Sequence, residues 1–100
     1  MKVRVTNDAK ADLRQIKTFI TERNAIAAEG VINRIRKMLT LLAVLPRLGH
    51  PGLVYGTFEK GVPRVPYLVV YRIDNARADR ELVVLRVYHG AQPRSQHDRL

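Results

Sequence analysis

Apolar positions recur at helical spacing through the first half of the chain and in strand-like runs through the second. Residues 2–6, "KVRVT", alternate charged and β-branched side chains, the period of a short edge strand. Thr6, Asn7 and Asp8 then offer side-chain oxygens and a negative charge suited to a helix start. Ala9, Leu13, Ile16, Phe19 and Ile20 follow on one face, with Lys10, Arg14 and Lys17 on the other, which predicts a helix over residues 8–22. Asn24 is placed to cap a second helix over 25–43, whose stripe is Ala28, Val31, Ile32, Ile35, Met38, Leu39 and Leu42. Gly30 inside that helix costs about 1 kcal/mol relative to alanine, and close packing on the first helix would account for it. Pro46 ends the segment, because the residue before a proline avoids the helical region.

The second half reads as strands. "LPRLGHPG" (45–52) is a connector, "LVYGTFEKG" (53–61) a strand weakened by Gly56, and "GVPRVP" (61–66) a loop around Arg64. Two β-branched runs follow, 66–74 and 81–92, each broken by one arginine, Arg72 and Arg86, and joined by the polar "NARAD". The tail, 93–100, has no apolar period. The order strand–helix–helix–strand–strand–strand predicts an α+β domain over 1–92: a helix hairpin packed on one face of a small antiparallel sheet. Strict alternation puts Val83, Leu85, Val87 and His89 on one face of the last strand and Leu82, Val84, Arg86 and Tyr88 on the other. The second sheet face is then open, with Arg72 and Arg86 on it or at its rim, since a buried unpaired guanidinium is costly.

Length and composition narrow the class. One hundred residues make one domain, and 46% hydrophobic residues suffice for a small core. No apolar run approaches the ~18 residues of a membrane span, and the charged N-terminus has no signal-peptide core. The absence of cysteine excludes disulfides and thiolate metal sites and fits a reducing cytoplasm. Net charge is +9, with arginine supplying 13 of the 18 cationic residues, a balance that favours nucleic acid or an acidic protein as partner.

Few residues carry candidate chemistry. His89, at a strand end, has the titration range of a general acid or base; its plainer role is a hydrogen bond to a backbone carbonyl. Arg72 and Arg86 can clamp a phosphate or carboxylate, or pair with Asp74 or Glu59. Glu59, Lys60 and Arg64 form a charged group that, with His89, would make an acid–base set for RNA cleavage. Tyr55, Tyr67, Tyr71 and Tyr88 can stack on bases or fill the core. The chain has no glycine-rich phosphate loop, no nucleophile elbow and no metal-ligand spacing, and His50, His89 and His97 stand far apart. No cofactor or metal is expected.

Several segments together resemble a known family. "AKADLRQIKTFI", "AIAAEGVINRIRKMLTLLAVLPRLGHPG", "YLVVYRID" and "VVLRVYHGAQ" resemble, over about residues 3–92, the superfamily of ParE and RelE toxins of type II toxin–antitoxin systems, with "LPRLGHPG", "VVYRI" and "LRVYHGAQ" closest to the ParE-like branch. The resemblance implies a growth-inhibiting cytoplasmic protein held by a cognate acidic antitoxin that folds on the helix hairpin or the edge strand, with operator DNA reached only through that antitoxin. ParE-like toxins poison DNA gyrase, whereas RelE-like toxins cut mRNA on the ribosome with basic residues of the sheet. Where such nucleases carry catalytic arginines this chain has Leu68 and, at the last strand's end, Gly90 or His89; of their lysine pair only Lys60 remains. The ParE-like reading places Arg72, Arg86, His89, Arg94 and Arg99 on or beside the target-binding surface. The alternative, an endoribonuclease, would use His89, Arg86, Arg72 and Lys60.

Overall fold

The computed structural model describes residues 1–76 and 78–90. β1 (Lys2–Val5) leads into α1 (Asn7–Thr21) through Thr6, whose Oγ1 accepts from the Ala9 N–H at 3.2 Å and satisfies one of the helix's free donors. Asn24 does the same for α2 (Ala25–Val44), its Oδ1 accepting from the Ala27 N–H at 3.1 Å. α2 stops two residues before Pro46. The remaining elements are β2 (His50–Pro51), β3 (Thr57–Gly61), β4 (Tyr67–Asp74) and β5 (Glu81–His89).

The strand half departs from the sequence expectation in its first third. Residues 53–56 form a turn, closed by Gly52 N–H to the Thr57 carbonyl at 2.8 Å, with Gly56 at φ 86°. That positive φ suits glycine and ends any continuous strand there. The supposed connector supplies a two-residue edge strand instead, β2, pairing His50 with Glu59 and Pro51 with Phe58. Pro51 has no N–H to offer and blunts that edge.

The five strands lie in the order β1-β5-β4-β3-β2. β4 runs antiparallel to β3 and β5, while β1 runs parallel to β5, with Val3 opposite Leu82 and Val5 opposite Val84. A parallel pair needs a long crossover, which everything between β1 and β5 provides. The α+β arrangement expected from the element order therefore holds, with a mixed sheet. Ala9 and Ile16 of α1 and Ile32, Ile35, Met38, Leu39 and Leu42 of α2 pack against Tyr67, Val69, Tyr71, Leu82, Val84 and Val87. Each of the larger side chains contributes about 1.5–3 kcal/mol by leaving water. A Cβ at Gly30 would meet nothing within 4 Å, so close packing does not explain that glycine.

Tyr71 fastens the connector to this core. Its hydroxyl accepts from the Gly49 N–H at 3.0 Å and donates to the Pro46 carbonyl at 2.7 Å. Burial raises its pKa against the opposing pull of the Gly49 N–H, so it keeps the proton it donates.

A bulge in β5 breaks the expected alternation. Val70 pairs with Arg86 but Tyr71 pairs with Val84, leaving Leu85 as the extra residue. Leu82, Val84, Val87 and His89 therefore share the helix-facing side, and Val83, Arg86 and Tyr88 the other. That second side is not open as the pattern suggested: Glu59, Val70, Val83 and Tyr88 on it are buried.

Candidate functional site

The site begins where β1 ends. β5 runs past Val5, so beyond Val84 its outer edge has no strand beside it, and unpaired backbone groups there need other partners. Thr6 donates from its N–H to the Val84 carbonyl at 3.1 Å, and from Oγ1 to the Val84 and Leu85 carbonyls at 2.9 and 3.1 Å. Asp12, one turn into α1, accepts from the Val87 N–H at 2.9 Å through Oδ2. The bulge turns Arg86 toward the same carboxylate. Its Nε donates to Oδ2 at 2.8 Å and its Nη2 to Oδ1 at 2.9 Å, a bidentate pair with side chains only 18% and 10% exposed. The guanidinium also lies 4.8 Å over the Tyr88 ring. The hydrogen bonds to Asp12 push the Arg86 pKa above its ordinary value despite burial, so it is charged at every working pH.

On the helix-facing side of this clamp lies the His89 cleft, about 370 Å³, walled by Asp12, Gln15, Ile16 and Phe19 of α1 and by Tyr67 and Val87 of the sheet. His89 stands edge-on to Tyr67, its cross-strand partner, with ring centroids 5.5 Å apart. On the opposite side lies a groove of about 490 Å³ with Val70 and Leu85 in its floor and Arg72, Arg86, Asp8 and Tyr55 around it. Tyr55 sits fully exposed in the 53–56 turn. Arg72 is 3.7 Å from Asp74, whose carboxyl is held below its ordinary value first by the Ala76 N–H and then by Arg72 and Arg4.

The sheet thus divides the residues singled out from the sequence. By register Arg72 and Arg86 share the sheet face away from the helices, but the Arg86 guanidinium is bound to Asp12 of α1, which also walls the His89 cleft. His89 shares the other with Val87, and so does Lys60, which pairs directly with Val69. Glu59 lies on the Arg72 side, so the charged group Glu59, Lys60 and Arg64 is not one cluster. Arg94, Arg99 and His97 lie outside the described residues. Sequence reasoning passed over Asp12, although its place in the apolar stripe, three residues after Ala9 and four before Ile16, signals a buried carboxylate that needs a partner. Tyr55 was noted only as an aromatic; its exposure comes from the turn at Gly56.

The comparisons with known proteins agree with this architecture. Residues 3–94 match the family described as the ParE toxin of the type II toxin–antitoxin system, parDE. A protein of Sinorhizobium fredii, described as "Putative toxin Y4kP", is 32% identical over 91 residues, covering 91% of this chain and 90% of its own. The chromosomal ParDE system of P. aeruginosa contains a chain that superposes with a TM-score of 0.77 at 22% identity, over 89% of this chain and 95% of the other, a likeness of fold. The toxin–antitoxin complex RelBE2 of Mycobacterium tuberculosis contains one at a TM-score of 0.61 and 28% identity, over 88% and 95%. With a match across nearly its whole length, and a relative alike in sequence as well as in extent, the chain belongs to the ParE toxin family of type II toxin–antitoxin systems.

Proposed function

We propose that this toxin acts in the cytoplasm by binding, trapping DNA gyrase on cleaved DNA without bond chemistry of its own, and that a cognate acidic antitoxin neutralises it. The observation that carries this reading is the division of the basic residues. Ribonucleolytic cleavage needs a general base and cations gathered around one phosphate. Here His89 and Lys60 stand on one face of the sheet and Arg72 and Arg86 on the other, with Arg86 held in a bidentate pair. Leu68, where related nucleases carry an arginine, offers no charge. The +9 chain favours both a DNA-bound target and an acidic antitoxin.

Induction of the His89→Gln variant tests it in cells. The account expects the growth arrest caused by the parent chain, and whatever arrest the variant retains, to come with intact transcripts and a DNA-damage response. Loss of toxicity together with disappearance of the mRNA cuts made by the parent chain would point to an endoribonuclease instead.

A further inference from the structure

We infer that the groove between the 53–56 turn and the β4–β5 face holds one unpaired nucleotide of the target DNA, its base stacked on Tyr55 and its phosphate on Arg72. The inference rests on the gyrase–DNA reading above and adds a direct contact with the DNA at a named residue.

The Tyr55 ring buries no surface in the fold. Tyr67, Tyr71 and Tyr88 are buried, whereas Tyr55 stands wholly in water. Aromatic rings carry large apolar areas into cores and interfaces, so a ring with no place in the core is available to a ligand. The turn presents it on a fixed frame. The Val54 carbonyl accepts from the Thr57 N–H at 3.0 Å and from Thr57 Oγ1 at 2.6 Å. Little further ordering of the backbone is needed when the ring meets its partner.

The groove beside the ring runs across the sheet. From Tyr55, beyond β3, it passes Val70 and Arg72 of β4 and Leu85 at the bulge of β5, and it ends at Asp8 in the first turn of α1. Its volume, about 490 Å³, is that of a small-ligand pocket. A duplex cannot enter a hollow of that size, but one nucleotide can. Arg72 supplies the cation. Its contact with Asp74 is 3.7 Å long, with side chains 40% and 31% exposed, and such a pair holds weakly against a phosphate.

The two rim groups together select the occupant. An acidic peptide would satisfy Arg72 and leave Tyr55 in water. Duplex DNA would do the same, because its bases are already stacked on one another. An unpaired nucleotide satisfies both, since every base has a π-face and every link a phosphate. Asp8 is left to accept a hydrogen bond from the base edge at the far end of the groove. The net charge of +9 draws the strand in.

The test is fluorescence anisotropy with a labelled single-stranded oligodeoxynucleotide at one fixed salt concentration. The full chain is compared with Tyr55→Ala, Tyr55→Phe and Arg72→Gln, and the same sequence is offered as blunt duplex and as RNA. Tyr55→Ala should weaken single-strand binding by about fivefold or more, while Tyr55→Phe, which keeps the ring, should stay within about twofold. Arg72→Gln should lower the affinity and flatten the salt dependence by about 0.7 in the log–log slope. Tyrosine emission reports the contact itself. The chain has no tryptophan and its other tyrosines are buried, so binding should quench the emission of the parent chain but not that of Tyr55→Phe. Unchanged affinity in Tyr55→Ala would overturn the inference, as would tighter binding of RNA than of DNA.

Gyrase trapping by the same proteins separates this inference from the reading beneath it. If Tyr55→Ala binds single strands normally, the inference fails, and trapping by the parent chain leaves the gyrase reading standing. If that variant also loses trapping, the turn touches gyrase rather than DNA. A parent chain that binds single strands through Tyr55 yet never traps gyrase would sink the gyrase reading and keep the nucleotide site.

Discussion

Asp12 and Arg86 lie 74 residues apart in sequence and make a polar contact that ties α1 to the bulged end of β5. Removing one partner breaks a bidentate, charge-assisted pair in a place that water scarcely reaches. Asp12→Ala and Arg86→Ala should each therefore cost about 3–5 kcal/mol, a large share of the roughly 5–15 kcal/mol that holds a domain together. Urea unfolding of the two single variants and the double variant would show it: the double should cost clearly less than the sum, because the pair acts as one unit. Single variants within about 1 kcal/mol of the parent chain would contradict the clamp. If the clamp holds, loss of toxicity in Arg86→Ala has to be read beside its loss of stability, not as the removal of a surface contact. Arg86 was visible in the sequence as the one charge in an apolar run. Its partner was not, since local spacing cannot join residues at opposite ends of a chain; only the carboxylate inside the stripe of α1 hinted at it.

At the scale of elements, both helices and their caps were legible because apolar spacing, Thr6, Asn24 and Pro46 all point the same way. The bulge was not. Residues 82–88 are apolar at every position but Arg86, so there is no polar–apolar alternation to slip, and a shift of one residue leaves no trace in the pattern. β2 escaped notice for a different reason: a His-Pro pair has no strand signature, and its place depends on Tyr71 holding the connector at Pro46 and Gly49. Two glycines should respond to alanine in opposite directions, and Gly49 tests the connector. A Cβ at Gly49 would sit 2.6 Å from the Tyr71 hydroxyl and 2.8 Å from the Glu59 carbonyl oxygen, so Gly49→Ala should destabilise by about 1–3 kcal/mol. Gly30 has open space around it in the middle of α2, and Gly30→Ala should stabilise by about 0.5–1 kcal/mol. Thermal unfolding separates them. A neutral Gly49→Ala would mean that the connector is not held by Tyr71.

For the molecule as a whole, fold and family were legible in the sequence, because the order of elements and several segments carry them together. The working surface was less so: which face each cation occupies depends on register, and the register turns on one extra residue in β5. That register parts His89 and Lys60 from Arg72 and Arg86, and the proposal of a toxin that binds without cutting rests on that separation. The most direct measurement combines purified toxin with gyrase, supercoiled plasmid and ATP, with translating ribosomes and mRNA probed in parallel. Gyrase-dependent accumulation of linear plasmid beside intact mRNA is the predicted result. Ribosome-dependent mRNA cuts with unimpaired supercoiling would contradict it.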